Sequence, residues 1–262
     1  MSLSSVLAVR PDGDDVVGEV PEGYDVFGIP HGGLLTAMTS NAVLEATGRP
    51  DVFSMTTHFL RKAERGPIRY AVEEAGASRR FTSVRGVARQ SGGVTLSVTA
   101  LVGDRSTFTG PTWRAEPAWA AREEELVPLD GDGGFAAPEI ARALGLRLDR
   151  AHVGFAQGAT GGQARVRGVV TAGPATIETA LVACDVTPPA VWNALGLSGW
   201  VPTLELTAHV RARPVEGPMT VEVWTRHVAG GFLEEDAEVF DAEGTLVVNS
   251  RQLARFTEPR AG

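Results

Sequence analysis

The chain has 262 residues, enough for one large domain or two ordinary ones and for a sizeable core in either case. Apolar residues make up 43% and charged residues 21%, a globular balance that excludes wholesale disorder. A formal charge of −8 argues against broad adhesion to nucleic acid or to an anionic membrane surface, and the single cysteine, Cys184, excludes an internal disulfide.

Residues 1–10 carry no basic segment leading into a long apolar run, and no apolar stretch approaches the roughly 20 residues of a spanning helix. With the lone cysteine, this predicts a cytoplasmic protein. The first predicted element is a strand near Val16–Val20. A helix over Gly33–Ala46 follows, opened by His31-Gly32-Gly33. Leu34, Leu35, Ala37, Met38, Ala42, Val43 and Leu44 cover most of its circumference, so it is expected to be buried. Period-two alternation then predicts strands over Val52–Lys62, Ile68–Ala75, Thr82–Gln90 and Thr95–Val102. Ser91-Gly92-Gly93 supplies the positive-φ residues of the last hairpin.

The stretch from Asp104 to Leu146 reads as a linker. It holds an acidic run (Glu123, Glu124, Glu125), Gly131-Asp132-Gly133-Gly134, and an amphipathic segment, Pro138–Leu146. It is too long for a hairpin connection and is expected to pack across the outside. A strand near Ala164–Val170 comes next. A helix over Ala175–Asp185 has Ile177, Ala180, Leu181 and Cys184 as its apolar stripe. Pro188 and Pro189 end that helix, and Thr187 is expected to cap a short second one with Pro188 at its first position. The last strands are predicted over Thr203–Arg213, Thr220–His227, Leu233–Asp241 and Leu246–Phe256, with a turn at Ala242-Glu243-Gly244.

The two strand sets match each other. His58 and His209, Gly66 and Gly217, Phe81 and Phe232, and Gly93 and Gly244 all lie 151 positions apart. Both histidines lead into a Gly-Pro pair. An internal repeat of one unit explains this, with copies at 1–104 and 147–262 and the linker at 105–146. Each copy is expected to be α+β, a curved antiparallel sheet wrapped around a buried helix. Such duplicated units mimic a dimer, and exposed sheet edges leave room for a homo-oligomer.

The doubled pattern resembles the thioesterase II-type acyl-CoA thioesterases, which are double hotdogs. Phe59-Leu60-Arg61 is similar to that family's strand motif and His31-Gly32-Gly33 to its helix start. Asp185 at the helix end, Thr203 at the start of the next long strand, and Gln252 in the final hairpin 243–252 fall where the family has its site residues. The resemblance fades in the linker. It also departs where the family has an aromatic-rich segment beside the Thr and this chain has Thr207-Ala208-His209. What it implies is hydrolysis of acyl-CoA or a similar acyl thioester, with coenzyme A as part of substrate and product and no metal or redox cofactor.

The residues themselves carry part of this reading. Asp185 extends the apolar stripe, so its carboxylate faces the core at a helix C-terminus, where desolvation and the helix dipole both oppose its charge. The alternative is an Asp that has left the helix and caps the Thr187 turn. Together with Thr203 and Gln252, Asp185 is suited to hold a water against a thioester carbonyl. Gln252 shares strand parity with Leu246 and Val248 and is expected to point inward. Thr203 has the parity of Glu205, Thr207 and His209, the polar side. His31, Gly32 and Gly33 at a helix N-terminus are candidate oxyanion donors, against an ordinary helix start needing close packing. The duplicated His58 and His209 read as structural. Arg61, Lys62, Arg65 and the pair Arg79-Arg80 are candidates for coenzyme A phosphates, against ordinary solvated charges.

No metal-ligand spacing, phosphate loop or G-x-S-x-G elbow is present. Two other readings stay open: a non-catalytic acyl-thioester binding module, and an enoyl-CoA hydratase-like enzyme, although the Asp-His loop of the latter is not found.

Overall fold

The computed structural model of the protein describes residues 3–113, 119–129, 136–197 and 200–257. The Gly131-Asp132-Gly133-Gly134 stretch lies outside them. The first half holds α1 (Leu3–Val6), β1 (Val9–Asp12), β2 (Asp15–Val20), β3 (Asp25–Val26), β4 (Ile29–Pro30), α2 (Gly32–Thr47), β5 (Asp51–Phe59), β6 (Gly66–Ala77), β7 (Phe81–Gln90) and β8 (Gly93–Gly103). There follow β9 (Leu126–Pro128), α3 (Glu139–Ala143), β10 (Arg147–Asp149), β11 (Arg165–Val170), α4 (Ile177–Ala183) and α5 (Trp192–Leu195). The chain closes with β12 (Thr203–Val210), β13 (Met219–Trp224), β14 (Val228–Ala229), β15 (Phe232–Phe240) and β16 (Leu246–Arg255).

Among the described residues, β3 and β4 form a separate hairpin and the other strands form one antiparallel sheet. Its order is β1-β2-β6-β7-β8-β5-β12-β16-β15-β13-β11-β10-β9, with β14 beside β15. The arrangement is the α+β double hotdog expected from the alternation. The halves meet edge to edge where β5 pairs with β12, His58 opposite Glu205 and Thr56 opposite Thr207. The hydroxyls of Thr56 and Thr207 hydrogen-bond at 2.8 Å.

Helix α2 is buried as far as Val43, with Leu34, Ala37, Met38, Ala42 and Val43 fully covered, as its apolar sequence requires, and only its last turn reaches the surface. His31 caps its N-terminus: the imidazole accepts from the Leu34 amide. Gly48, at φ 62°, closes its C-terminus with an N–H to the Leu44 carbonyl. Helix α4 is shorter than expected and stops at Ala183, so Asp185 lies just past its end, its amide bonded to the Val182 carbonyl at 3.1 Å. The second short helix does not start at Thr187. It begins at Trp192 behind Val191, because the residue before a proline is pushed out of the helical region and Pro188 precedes Pro189.

The linker also does more than cross the outside. Its β9 joins β10 at the sheet edge, and Ile140, Ala141 and Leu144 around α3 are buried in the core. Both sheet edges are short and carry a proline, Pro11 in β1 and Pro128 in β9, which leaves little for strand-by-strand association. No helix among the described residues is long and apolar enough to cross a membrane.

A charged tie crosses between the halves. The buried Asp51 carboxylate accepts from Arg213 Nη2 at 2.8 Å and from the Arg105 amide at 2.8 Å. Asp51→Ala leaves both donors without this acceptor. It is expected to lower the unfolding free energy by about 2 kcal/mol, read as a shift in the urea midpoint at unchanged slope.

Candidate active site

The close approach of two helix ends creates the site. The N-terminus of α2 abuts the segment leaving α4. A Cβ at Gly32 would lie 2.8 Å from Asp185 Oδ2, and one at Gly33 would lie 3.0 Å from both Asp185 Cβ and the Val182 carbonyl. Only glycine permits this approach, since 2.8 Å is closer than carbon and oxygen pack. The Gly33 amide then donates to Asp185 Oδ2 at 2.7 Å.

His31 braces the same junction. Its Nδ1 accepts from the Leu34 amide at 3.2 Å, so the proton sits on Nε2, which donates to the Asp185 carbonyl at 2.8 Å. That nitrogen also lies 3.5 Å from Asp185 Oδ2. His31 is buried.

Burial pushes the Asp185 carboxyl above the usual carboxylate range; His31, the Gly33 amide and the Gln252 side chain pull it back down. The sequence places an adverse helix dipole at Asp185. The structure adds an opposing one, because the positive end of α2 points at the carboxylate.

Thr203 and Gln252 meet directly: the Thr203 hydroxyl donates to Gln252 Oε1 at 2.6 Å. Gln252 points inward as its parity predicts. Thr203 escapes its own parity because the register between β12 and β16 shifts between Thr203 and Glu205. The bulge turns the first residue of the strand to the inner side. Gln252 Nε2 donates in turn to Glu235 Oε1 at 2.9 Å, and the Ala190 amide donates to Glu235 Oε2 at 2.7 Å. Burial pushes the Glu235 carboxyl up to about 7. Sequence reasoning missed Glu235, although Leu233, Ala237 and Val239 share its parity and marked it as a carboxylate on the apolar side of β15.

All of these groups open onto one cavity of about 660 Å³ between the halves. His31, Gly32, Asp185, Thr203, Glu235 and Gln252 form its polar end, and Leu35, Phe59, Trp192 and Val201 are among its apolar walls. Of the three expected oxyanion donors, the structure commits two elsewhere: Gly33 N–H to the Asp185 carboxylate and His31 Nε2–H to the Asp185 carbonyl. Gly32 N–H has no partner among the described residues.

The candidate phosphate-binding cations also separate. Arg61 and Lys62 line the cavity. Arg65 instead pairs with Asp25 and Glu22, and Arg80 lies over the Phe108 ring. His58 and His209 are exposed on β5 and β12 and do not line the cavity. Burial pushes the Cys184 thiol up to about 12, which leaves it inert at neutral pH.

The cavity mouth carries one strained residue. Phe27, at φ 50°, is the only non-glycine with positive φ among the described residues. With Gly28 at φ 79° it forms the two-residue turn between β3 and β4, a turn that favours Asn-Gly. The Phe27 side chain is 60% exposed and lines the cavity beside Leu60, Leu197 and Trp200. Its exposed apolar ring lies where an apolar ligand entering the cavity would meet it. Phe27→Asn is expected to raise stability by about 1 kcal/mol by relieving the backbone. The same change is expected to weaken apolar ligands several-fold, as seen by calorimetric titration.

Comparison with known proteins identifies the family and the fold. Residues 20–103 match the model of the acyl-CoA thioesterase N-terminal domain and residues 123–256 that of the acyl-CoA thioesterase C-terminal domain. An uncharacterised protein of Mycobacterium tuberculosis is 26% identical over 289 aligned positions, covering 96% of this chain and 97% of its own length. A Thermobifida fusca protein described as a thioesterase II superposes with a TM-score of 0.86 at 24% identity over 98% of both chains. The acyl-CoA thioesterase II TesB2 of Mycobacterium marinum gives 0.77 at 16% identity over 100% of both chains. A hot dog-fold protein of unknown function from Alicyclobacillus acidocaldarius gives 0.82 at 18% identity over 98% of both.

Proposed function

The chain belongs to the acyl-CoA thioesterase family of hydrolases, and on that premise we propose that its cavity hydrolyses an acyl-CoA with a water held by Asp185, Thr203 and Gln252. The observation that carries this reading is the Asp185 carboxylate and the Thr203–Gln252 pair facing one apolar-walled cavity.

The chemistry follows from what each group has left to offer. Thr203 donates its proton to Gln252, so its oxygen is free to accept from a water. Asp185 Oδ2 is held by Gly33, which leaves the carboxylate room to accept the water's other proton. A water held by two acceptors aims a lone pair away from both, toward a carbonyl in the cavity. As it attacks, its proton passes to Asp185 and the carbonyl oxygen gains charge. The free Gly32 amide, at the positive end of α2, is placed to receive that charge. Collapse breaks the C–S bond, and the leaving thiolate takes the proton from Asp185. Water and thioester become acid and thiol, with no metal or redox group in any step.

Arg61 and Lys62 at the cavity meet the phosphates of coenzyme A in this reading. The test is a panel of acyl-CoA thioesters from short to long acyl chains, assayed for free thiol with a chromogenic disulfide. Release that rises in proportion to enzyme supports hydrolysis. An absence of release at every chain length refutes it.

A further inference from the structure

One buried carboxylate has no part in that scheme. Glu235 faces the cavity from an inward position on β15, and both its oxygens are engaged: Oε2 by the Ala190 amide at 2.7 Å, Oε1 by Gln252 Nε2 at 2.9 Å. It lies directly opposite Gln252 in the β15–β16 ladder. Bridged by Gln252, it forms the far end of a chain that runs Glu235, Gln252, Thr203.

A glutamine side chain can rotate by half a turn and exchange its oxygen for its nitrogen at almost no steric cost, so something must choose between the two orientations. Thr203 cannot choose, because a hydroxyl donates to an oxygen as readily as it accepts from an N–H. Glu235 can. An ionised carboxylate only accepts, so only the NH₂ of Gln252 can face it; the Asp185 carboxyl, which the Gln252 amide also pulls down, favours the same orientation, and Oε1 turns toward Thr203. We propose that Glu235 is a positioning residue whose ionised carboxylate fixes the orientation of the Gln252 amide and, through it, the direction of the Thr203 proton. The proposal rests on the hydrolytic reading above and adds a residue to it.

The consequence reaches the water. When Gln252 presents Oε1, the Thr203 proton is occupied and its oxygen is free to accept. When Glu235 gains a proton or loses its charge, it can donate to Gln252 Oε1. The amide then turns, its NH₂ faces Thr203, and the hydroxyl proton swings into the space where the water must donate. Two donors then face each other and the attacking geometry is lost.

The charges around Glu235 are few. Asp185 bears on it from beyond the end of α4 and opposes its ionisation. Gln252 from β16 and Thr203 from β12 are uncharged, and His31 stands behind Asp185, its Nε2 3.5 Å from Asp185 Oδ2. Arg61 and Lys62 line the same cavity from the segment after β5. Its neighbours on β15 are engaged elsewhere: Asp236 with Arg251, and Glu234 with the amides of Arg226 and His227.

The experiment compares wild type, Glu235→Gln, Glu235→Asp, Gln252→Ala and the Glu235→Gln/Gln252→Ala double variant, each checked by circular dichroism. Turnover is read as kcat and KM across the acid, neutral and mildly alkaline range. Glu235→Gln should lower kcat about 10- to 100-fold, the scale of one or two lost hydrogen bonds, with KM nearly unchanged. It should also erase the part of the wild-type acid limb that rises near pH 7 and leave only that of Asp185. Glu235→Asp should recover part of the loss. In the double variant the cost of losing Glu235 should vanish, because there is no Gln252 left to orient.

Additive losses, or a Glu235→Gln enzyme with wild-type kcat and an unchanged profile, overturn the proposal while hydrolysis by Asp185 stands. A second readout needs no turnover: the side-chain amide nitrogen resonance of Gln252 should titrate with a midpoint of about 7 in wild type and not in Glu235→Gln. A resonance that ignores pH across that range overturns the proposal even if no thioester is ever cleaved.

Discussion

Replacing Asp185 with asparagine should abolish thiol release, lowering kcat by roughly 10³-fold or more, within the range a general base supplies, while KM moves little. The contrast follows from geometry. The asparagine side chain keeps an oxygen to accept from the Gly33 amide, and the brace from His31 runs to the backbone carbonyl at that position, so the junction between α2 and α4 survives. What is lost is the ability to take a proton from water. The apolar cavity walls at Leu35, Phe59 and Val201 are untouched. Stability should hold or rise, since a carboxyl that burial holds above its usual range is exchanged for a neutral amide. Steady-state kinetics and urea unfolding on one preparation decide it. An Asp185→Asn enzyme retaining a large part of the wild-type kcat would remove Asp185 from the base role and leave the water without an acceptor for its proton.

The sheet and its two helices were legible because alternation and circumferential burial are local patterns. The strands around His58 and His209 announced themselves in short windows of alternating residues, and α2 in a single apolar run. The site was harder because its contacts join distant positions. Nothing near Gly33 says that its amide belongs to Asp185, which lies 152 positions away, and so both glycines read as oxyanion donors from the sequence. The structure commits the Gly33 amide to Asp185 and leaves the Gly32 amide without a partner among the described residues.

Thr203 illustrates a second limit. Its strand parity sent it outward, and only the register shift after it brings it to Gln252. A bulge depends on the partner strand's path and leaves no local mark. Glu235 is the opposite case: parity did mark it, between Leu233 and Ala237, as an inward carboxylate. It went unread because a stretch with Glu234, Glu235 and Asp236 resembles a solvated charge run, and only the ladder opposite Gln252 separates the buried member from its neighbours.

Glu235 also makes stability depend on pH across the mildly acid to neutral range. A glutamate ordinarily ionises near 4.5, and burial pushes Glu235 up to about 7 in the folded chain. Between those values the unfolded chain has given up its proton and the folded chain has not. The folded state therefore binds more protons there, and stability falls as pH rises. Below pH 4.5 the group adds no difference; above about 7 the fold bears the full penalty of an ionised, buried carboxylate, about 3 kcal/mol. Glu235→Gln cannot ionise. Its unfolding free energy should match wild type at about pH 4 and exceed it at about pH 8 by up to about 3 kcal/mol, the gap opening as pH rises from 4.5 to about 7. Urea unfolding of both proteins at matched pH measures this difference, and curves that run parallel across the whole range would show that Glu235 ionises no differently in the folded chain. Paired with the expected loss of kcat, a variant that is more stable and less active above about pH 7 would mean that the charge on Glu235 is kept at the site for its effect on Gln252, against the preference of the core that surrounds it.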